Sequence, residues 1–300
     1  MTVKTAKQYI NKQIQSIYDE KEANNIADLV IEYLTEKKRI DRLVENEKKL
    51  SPEQETKLLQ FSNRLLQHEP VQYVLGEAWF YGLKLNVDKN VLIPRPETEE
   101  LVDWMLESVG RWSRKLSGAL DSKKFQDRNF KVLDIGTGSG CIAIALRKNL
   151  PEQFEVWACD TSDAALTVAR KNADDQQALV DFVPFDFLDA TQRKQLPHLD
   201  IIVSNPPYVP LKDKNEMRDN TLKYEPSIAL FVPDNDALVF YKAIADFGHE
   251  NLYKGGNIFV EIHENLSEAV TELFKSKGYT CVELKKDMHG KDRMVRAAFL

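Results

Sequence analysis

Apolar positions recur along the first 70 residues at helical spacing. Ile10, Ile14 and Ile17 fall at i, i+4 and i+7, and Ile26, Val30 and Leu34 repeat every four residues. Each set lays one apolar stripe along a helix. Ser51-Pro52-Glu53-Gln54 predicts a helix start: Ser can cap, Pro suits the first turn, and Gln three positions on can close a capping box. Leu58, Leu59, Leu65 and Leu66 are the buried stripe expected to follow. The pattern predicts a small helical bundle over residues 1–72. Residues 73–96 change character, with short β-type runs around Gly76 and Gly82 and turn residues at Asp88-Lys89-Asn90. They predict a β-hairpin linker leading into a second domain over residues 97–300.

The second domain opens on ETEELVDWML, which is patterned as a helix. Residues 108–129 are rich in Ser, Gly and charge, and their weak periodicity predicts a loop or linker. From residue 130 the period alternates. KVLDIG, EVWACD, VDFVPFDF, LDIIVS and GNIFVEIH are strand-like runs, separated by helical patterns such as CIAIALRKN and SDAALTVARKNADD. Alternation of this kind predicts an α/β fold, a parallel sheet with helices on both faces. TCVELKKD and RMVRAAFL are joined only by HGKD. That is too short for a parallel crossover, so they are expected as a C-terminal antiparallel strand pair.

Composition narrows the function. The chain has 300 residues, 43% apolar, with 41 Lys plus Arg against 47 Asp plus Glu, a formal charge of −6. A disordered chain and a disulfide scaffold are excluded, as is wrapping of long nucleic acid by charge alone. Residues 1–70 carry 12 basic and 12 acidic side chains. A neutral helical bundle suits a protein-docking module better than a DNA clamp, the plainer alternative being that it only stabilises the fold. The three cysteines form no Cys-x-x-Cys pair and the five histidines no metal-ligand spacing, so no metal is expected. No apolar run approaches the ~20 residues of a membrane span. A cytoplasmic protein, monomeric and without membrane or direct nucleic-acid partners, is the expectation.

Asp134-Ile135-Gly136-Thr137-Gly138-Ser139-Gly140 lies between a predicted strand and a helix. Glycines there let a ligand approach the backbone at the carboxyl edge of the sheet. Asp160, 20 residues beyond Gly140, ends the next strand, where an acid can accept bonds from ribose hydroxyls; the competing role is an N-cap for the following helix. A dinucleotide would want Gly-x-Gly-x-x-Gly and a phosphate cradle. Here an acid, Asp134, sits beside the loop, which repels phosphate but suits a cationic ligand such as S-adenosylmethionine. Asp186-Phe187 is expected to end the third strand near the adenine, Phe187 packing on the ring or serving as plain core.

Asn205-Pro206-Pro207-Tyr208 follows the apolar strand LDIIVS. Two prolines restrain the backbone just past a strand end, where ligands bind. The Asn205 carbonyl and nearby backbone carbonyls can accept both N–H bonds of a planar amino group, and Tyr208 can cover it. An amide or exocyclic amine is a feeble nucleophile, so alignment against a methyl donor supplies much of the barrier reduction. A rigid β-turn without chemistry is the alternative for this motif taken in isolation.

Together GTGSG, Asp160, NPPY and LIPRPETEELV resemble the bacterial peptide chain release factor glutamine N5-methyltransferases, from about residue 70 to the C-terminus and more loosely in the N-terminal helices. The resemblance implies a Rossmann-like class I S-adenosylmethionine-dependent methyltransferase sheet plus a small N-terminal bundle that helps dock the release factor. It implies methyl transfer to the Gln side-chain amide of a Gly-Gly-Gln motif. Gly136, Thr137, Gly138, Ser139, Gly140, Asp160, Phe187 and Asn205 would then contact the cofactor. Asn205, Pro206, Pro207 and Tyr208 would hold the Gln amide, with Asn205, Pro206 and Tyr208 as the catalytic set. NPPY is shared with adenine-N6 and other nucleic-acid amino-methyltransferases. Pro94-Arg95-Pro96-Glu97-Thr98-Glu99 discriminates better, because sister enzymes acting on a ribosomal protein typically have Ser in the place of Pro96. A non-catalytic adaptor is the remaining alternative. Tyr224-Glu225-Pro226 also matches the family pattern without a role read from the residues, and His263 stands where Gly is common.

Overall fold

The computed structural model describes residues 1–117, 128–217 and 219–299. The chain divides into two compact units, one of Met1–Glu77 with Met217–Tyr224, the other of Ala78–Glu216 with Glu225–Leu300.

The first unit holds α1 (Val3–Ile14), α2 (Glu20–Thr35), α3 (Arg39–Val44), α4 (Pro52–Leu65) and α5 (Val71–Leu75). Ile10, Ile14, Ile26, Val30, Leu34, Leu58 and Leu65 are buried together. Each full burial of such a side chain contributes roughly 1.5–3 kcal/mol. The capping box forms: Ser51 Oγ accepts from the Gln54 amide at 3.2 Å, and Gln54 Oε1 accepts from the Ser51 amide at 2.8 Å. Three expectations are corrected. Helix α1 stops at Ile14, so Ile17 lies beyond it and is only half-buried. Leu59 and Leu66 are exposed, whereas Phe61 and Ser62 are buried. The inward set is therefore 58, 61, 62 and 65, the i, i+3, i+4, i+7 stripe, and Leu59 and Leu66 sit about 100° round from Leu58 and Leu65. Residues 73–75 are helical, not extended, closing a helix that starts at Val71; Val71, Val74 and Leu75 are buried in the bundle core, and that burial overrides their β preference.

The second unit begins one residue into a hairpin, β1 (Glu77–Phe80) and β2 (Leu83–Asn86), which turns at Tyr81-Gly82. The turn at 88–90 exists but comes after the hairpin: Asp88 Oδ1 accepts from the Asn90 amide at 2.9 Å. Helix α6 (Pro96–Ser117) runs through the first ten residues of the stretch expected as loop. Leu101, Val102, Met105 and Val109 recur at helical spacing and are buried, which carries the helix past the polar composition. Residues 118–127 of that stretch lie outside the described residues.

Beyond them come β3 (Phe130–Ile135), α7 (Cys141–Asn149), β4 (Phe154–Asp160), α8 (Asp163–Gln176), β5 (Asp181–Pro184) and β6 (Leu199–Ser204). After a short parallel bridge between β7 (Val209–Pro210) and β8 (Phe231–Val232) follow α9 (Val239–Asn251), β9 (Leu252–Glu261), α10 (Ser267–Ser276), β10 (Cys281–Lys286) and β11 (Asp292–Ala298). The main sheet has seven strands in the order β10-β11-β9-β6-β3-β4-β5. Strands β5, β4, β3, β6 and β9 run parallel. β11 pairs antiparallel with β9, and β10 antiparallel with β11, as the short connection requires. Side chains alternate across the sheet: Phe130 and Val132 join the core under α6 and α7, while Leu133 and Ile135 join the core under α9 and α10.

Consecutive crossovers from β3 go first to one side, through β4 and β5, and then to the other, through β6 and β9. The reversal opens a crevice at the carboxyl ends of β3 and its neighbours. One boundary there is corrected. Strand β5 ends at Pro184, ahead of Asp186-Phe187, because the Asp186 side chain turns the chain by accepting from the Leu188 amide at 2.8 Å. Among the described residues, no helix is long and apolar enough to cross a membrane.

Candidate active site

The crevice is a cavity of about 240 Å³. Its floor comes from Ile135 and Gly136 at the end of β3, Cys159 and Asp160 at the end of β4, and Ser204 through Pro207 at and just past the end of β6. The strand ends thus bring the glycine loop and the Asn-Pro-Pro corner, far apart in the chain, onto one cavity.

The glycine loop divides its labour. Gly138 adopts φ +54°, and a side chain there would project into open space, leaving the backbone exposed to a ligand. Gly140 adopts φ +80°, and a Cβ on it would meet Ile144 at 3.0 Å and Ala169 at 3.2 Å, so its bareness serves helix packing. Thr137 and Ser139 are buried and do not line the cavity. Thr137 Oγ1 donates to Asp134 Oδ2 at 2.6 Å, and the Ala143 amide donates to the same oxygen at 3.2 Å. Asp134 is fully buried beneath the loop, and burial pushes its carboxyl up to about 7. Its place in the sequence suggests an acid against the ligand; the structure makes it an internal tie of the loop.

Asp160 lines the cavity. Its Oδ2 accepts from the Gly138 amide and its Oδ1 from the Ser162 amide, both at 2.9 Å. The N-cap of α8 is Ser162, whose hydroxyl accepts from the Ala165 amide, so Asp160 is not the cap. Burial raises its carboxyl above the ordinary range. Phe187 lines the cavity and also packs edge-on against Phe247, with ring centres 5.3 Å apart.

Beyond β6, which pairs with β3, Asn205, Pro206 and Pro207 line the cavity, and Tyr208 after them does not. Asn205 Nδ2 donates to Thr98 Oγ1 at 3.0 Å, Thr98 Oγ1 donates to Glu261 Oε2 at 2.6 Å, and the Tyr208 hydroxyl donates to Glu261 Oε1 at 3.2 Å. Both ends of the corner therefore converge on one buried carboxylate. Burial pushes the Glu261 carboxyl up to about 6 and raises the Tyr208 phenol. The ring of His263 lies 5.9 Å from that of Tyr208.

Three contributors had no role in the sequence reading. Asn90, Val91 and Leu92 close one side of the cavity. The segment after them is held by Glu225, which accepts from Arg95 Nη2 at 2.5 Å and from the Ile93 amide at 3.2 Å. Asn172, fully buried on α8, donates to the backbone oxygens of Ser139 and Asn86, 2.9 Å each, so it joins the glycine loop to the hairpin. Glu225 was the legible one of these: a lone acid in the matching Tyr-Glu-Pro run.

Comparison with known proteins decides the family. A release factor glutamine methyltransferase of Flavobacterium psychrophilum is 41% identical over all of both chains. One from Lactococcus lactis is 44% identical over 81% of this chain and 83% of its own. The chain belongs to the release factor glutamine methyltransferases. The PrmC N-terminal domain matches residues 5–76, and the Methyltransferase small domain matches residues 113–223. This methyltransferase also shares its fold with the catalytic domain of hMettl16, solved in complex with a MAT2A 3′UTR hairpin. The TM-score is 0.53, at 16% identity over 83% of each chain.

Proposed function

We propose that this methyltransferase methylates the side-chain amide nitrogen of the Gln in the Gly-Gly-Gln motif of peptide chain release factors, using S-adenosylmethionine. The observation that carries the reading is that Asn205 lines the same cavity as Gly138 and Asp160 while its NH2 is committed to Thr98. Its carbonyl oxygen makes no hydrogen bond to another described residue, which leaves it as an acceptor for a planar NH2 group.

The residues suit the methyl donor on two grounds. The open space over Gly136 and Gly138 is a cradle that side chains would fill. The Asp160 carboxylate, two of its lone pairs used by the backbone, keeps acceptor capacity for a ribose diol. Gly136, Gly138 and Asp160 would hold the polar part, and Phe187 with Ile228 the flat base. When bound, S-adenosylmethionine supplies an electrophilic methyl carbon. Thr137, Ser139 and Gly140 support the loop from beneath. The protein's part is alignment: Asn205 and the backbone oxygens of the Pro206-Pro207 corner accept the two amide N–H bonds, and Tyr208 braces the corner. A planar amide nitrogen is a poor nucleophile, and positioned acceptors draw electron density onto it while fixing its approach. The N-terminal bundle, neutral in charge, is read as the dock for the release factor.

The test is labelled methyl transfer to purified release factor, wild type against a substrate with Gln→Ala in Gly-Gly-Gln. Label on the wild-type substrate alone is expected. Equal label on both, or transfer to DNA in its place, would overturn the assignment.

A further inference from the structure

The Asn205–Thr98–Glu261 chain has a direction. An ionised carboxylate only accepts hydrogen bonds. The 2.6 Å contact to Glu261 Oε2 therefore takes the single proton of the Thr98 hydroxyl. Thr98 Oγ1 is left with lone pairs alone toward Asn205, so at 3.0 Å it can face only the NH2 side of that amide. The opposite rotamer would set two lone pairs against each other. Thr98 and Glu261 are both buried, which keeps water from substituting for either partner.

We propose that Thr98 is a positioning residue that sets which way the Asn205 amide faces and so keeps the Asn205 carbonyl oxygen presented to the substrate nitrogen. The proposal rests on the role of Asn205 given above. Protonation of Glu261 gives the carboxyl a proton to donate, the chain loses its fixed direction, and Asn205 can turn its NH2 into the cavity. The groups that bear on Glu261 come from every element around it. They are Glu97 from α6, Tyr208 from the corner, Tyr241 from α9, Cys141 from α7 and Arg293 from β11. Arg293 favours the carboxylate and Glu97 opposes it. Burial lifts the group to about 6, inside the range an assay can scan.

The experiment compares wild type, Thr98→Val and Thr98→Ser with a Gly-Gly-Gln release factor, recording kcat, KM and cofactor affinity from pH 5 to 8. Thr98→Val is expected to lower kcat ~10–100-fold at pH 7.5, with cofactor affinity within ~3-fold. Thr98→Ser, which restores the hydroxyl, is expected within ~3-fold of wild type. Wild-type kcat should fall as pH drops through about 6, and Thr98→Val should lose that acid limb. An unchanged kcat in Thr98→Val, an equally slow Thr98→Ser, or an acid limb that persists in Thr98→Val overturns the proposal. A wild-type kcat flat from pH 5 to 7.5 overturns it without any variant. A wild type that methylates no Gln at all fails the functional assignment instead, so the two failures are separable.

Discussion

The loop wall of the cavity is tied by side-chain contacts spanning 3 to 33 residues of chain: Thr137 and the Ala143 amide to Asp134, the Gly138 amide to Asp160, Asn172 to Ser139. The Asn-Pro-Pro wall is tied by contacts spanning 53 to 163 residues: Tyr208 and Thr98 to Glu261, Asn205 to Thr98. The first wall presents mostly backbone and is assembled within one β-α-β-α stretch. The second presents a side chain whose orientation depends on a helix and a strand end contributed from elsewhere. A ligand-binding surface of fixed shape can be local, whereas a group that must be aimed needs neighbours from several elements.

If the walls divide cofactor binding from alignment, variants should separate the two. The largest effect is expected for Asn205→Ala: kcat down ~10²–10³-fold, the scale of losing one positioned polar group at a reacting centre, with cofactor affinity changed less than ~10-fold. Single-turnover transfer and calorimetry check it, and a variant that transfers normally would erase the distinction. Asp160→Ala is the mirror case. It should weaken cofactor affinity ~10–100-fold, since bonds to a charged group are worth ~1.5–3 kcal/mol each. Calorimetry with unchanged affinity would move the cofactor away from this wall.

The next effect bears on the loop's own stability and not on transfer. Asp134 has its carboxyl raised from 3.8 to about 7 by burial. The folded state therefore holds that proton more tightly than the unfolded chain. Its contribution is complete below pH ~4 and is lost as pH rises through about 7. Asp134→Asn removes the titration. The wild-type stability, measured relative to this variant, should drop by on the order of 4 kcal/mol from pH 4 to 8, read from urea unfolding at both pH values. Parallel pH dependence in the two proteins would contradict a buried, strongly shifted carboxyl. The smallest expected effect is Gly138→Ala. At φ +54° an L side chain costs ~1–2 kcal/mol, but the Cβ enters open space. The melting temperature should fall by a few degrees and cofactor affinity more than Asn205-dependent alignment. A loss of kcat with affinity intact would mean that the walls are not separate.

The legible parts of the site were those whose chemistry is carried by neighbouring residues. Gly138, Asp160 and Asn205-Pro206-Pro207 could be read because a strand end, a glycine and an acid at fixed spacing recur together. Asp134 was misplaced because one-dimensional adjacency to the loop says nothing about which side of it the side chain takes. Glu261 and Asn172 carry no local signature, and Thr98 and Glu225 stand in stretches that match the family pattern without showing a role there, since each acquires its role only through a partner far along the chain.

From its sequence alone, the chain determined the alternating strand–helix order, the antiparallel ending forced by HGKD, the capped helix at Ser51 and the three short motifs that line the cavity. These depend on periodicity, turn residues and backbone freedom, all properties of a few consecutive residues. Tertiary structure alone decided that α5 is a helix and that Phe61 faces inward where Leu59 does not. It also decided that Asp134 is a tie beneath the loop, and that one buried carboxylate at Glu261 braces both ends of the Asn-Pro-Pro-Tyr corner. Burial and hydrogen-bond direction are set by what arrives from elsewhere in the fold, so they have no counterpart in a local stretch of sequence.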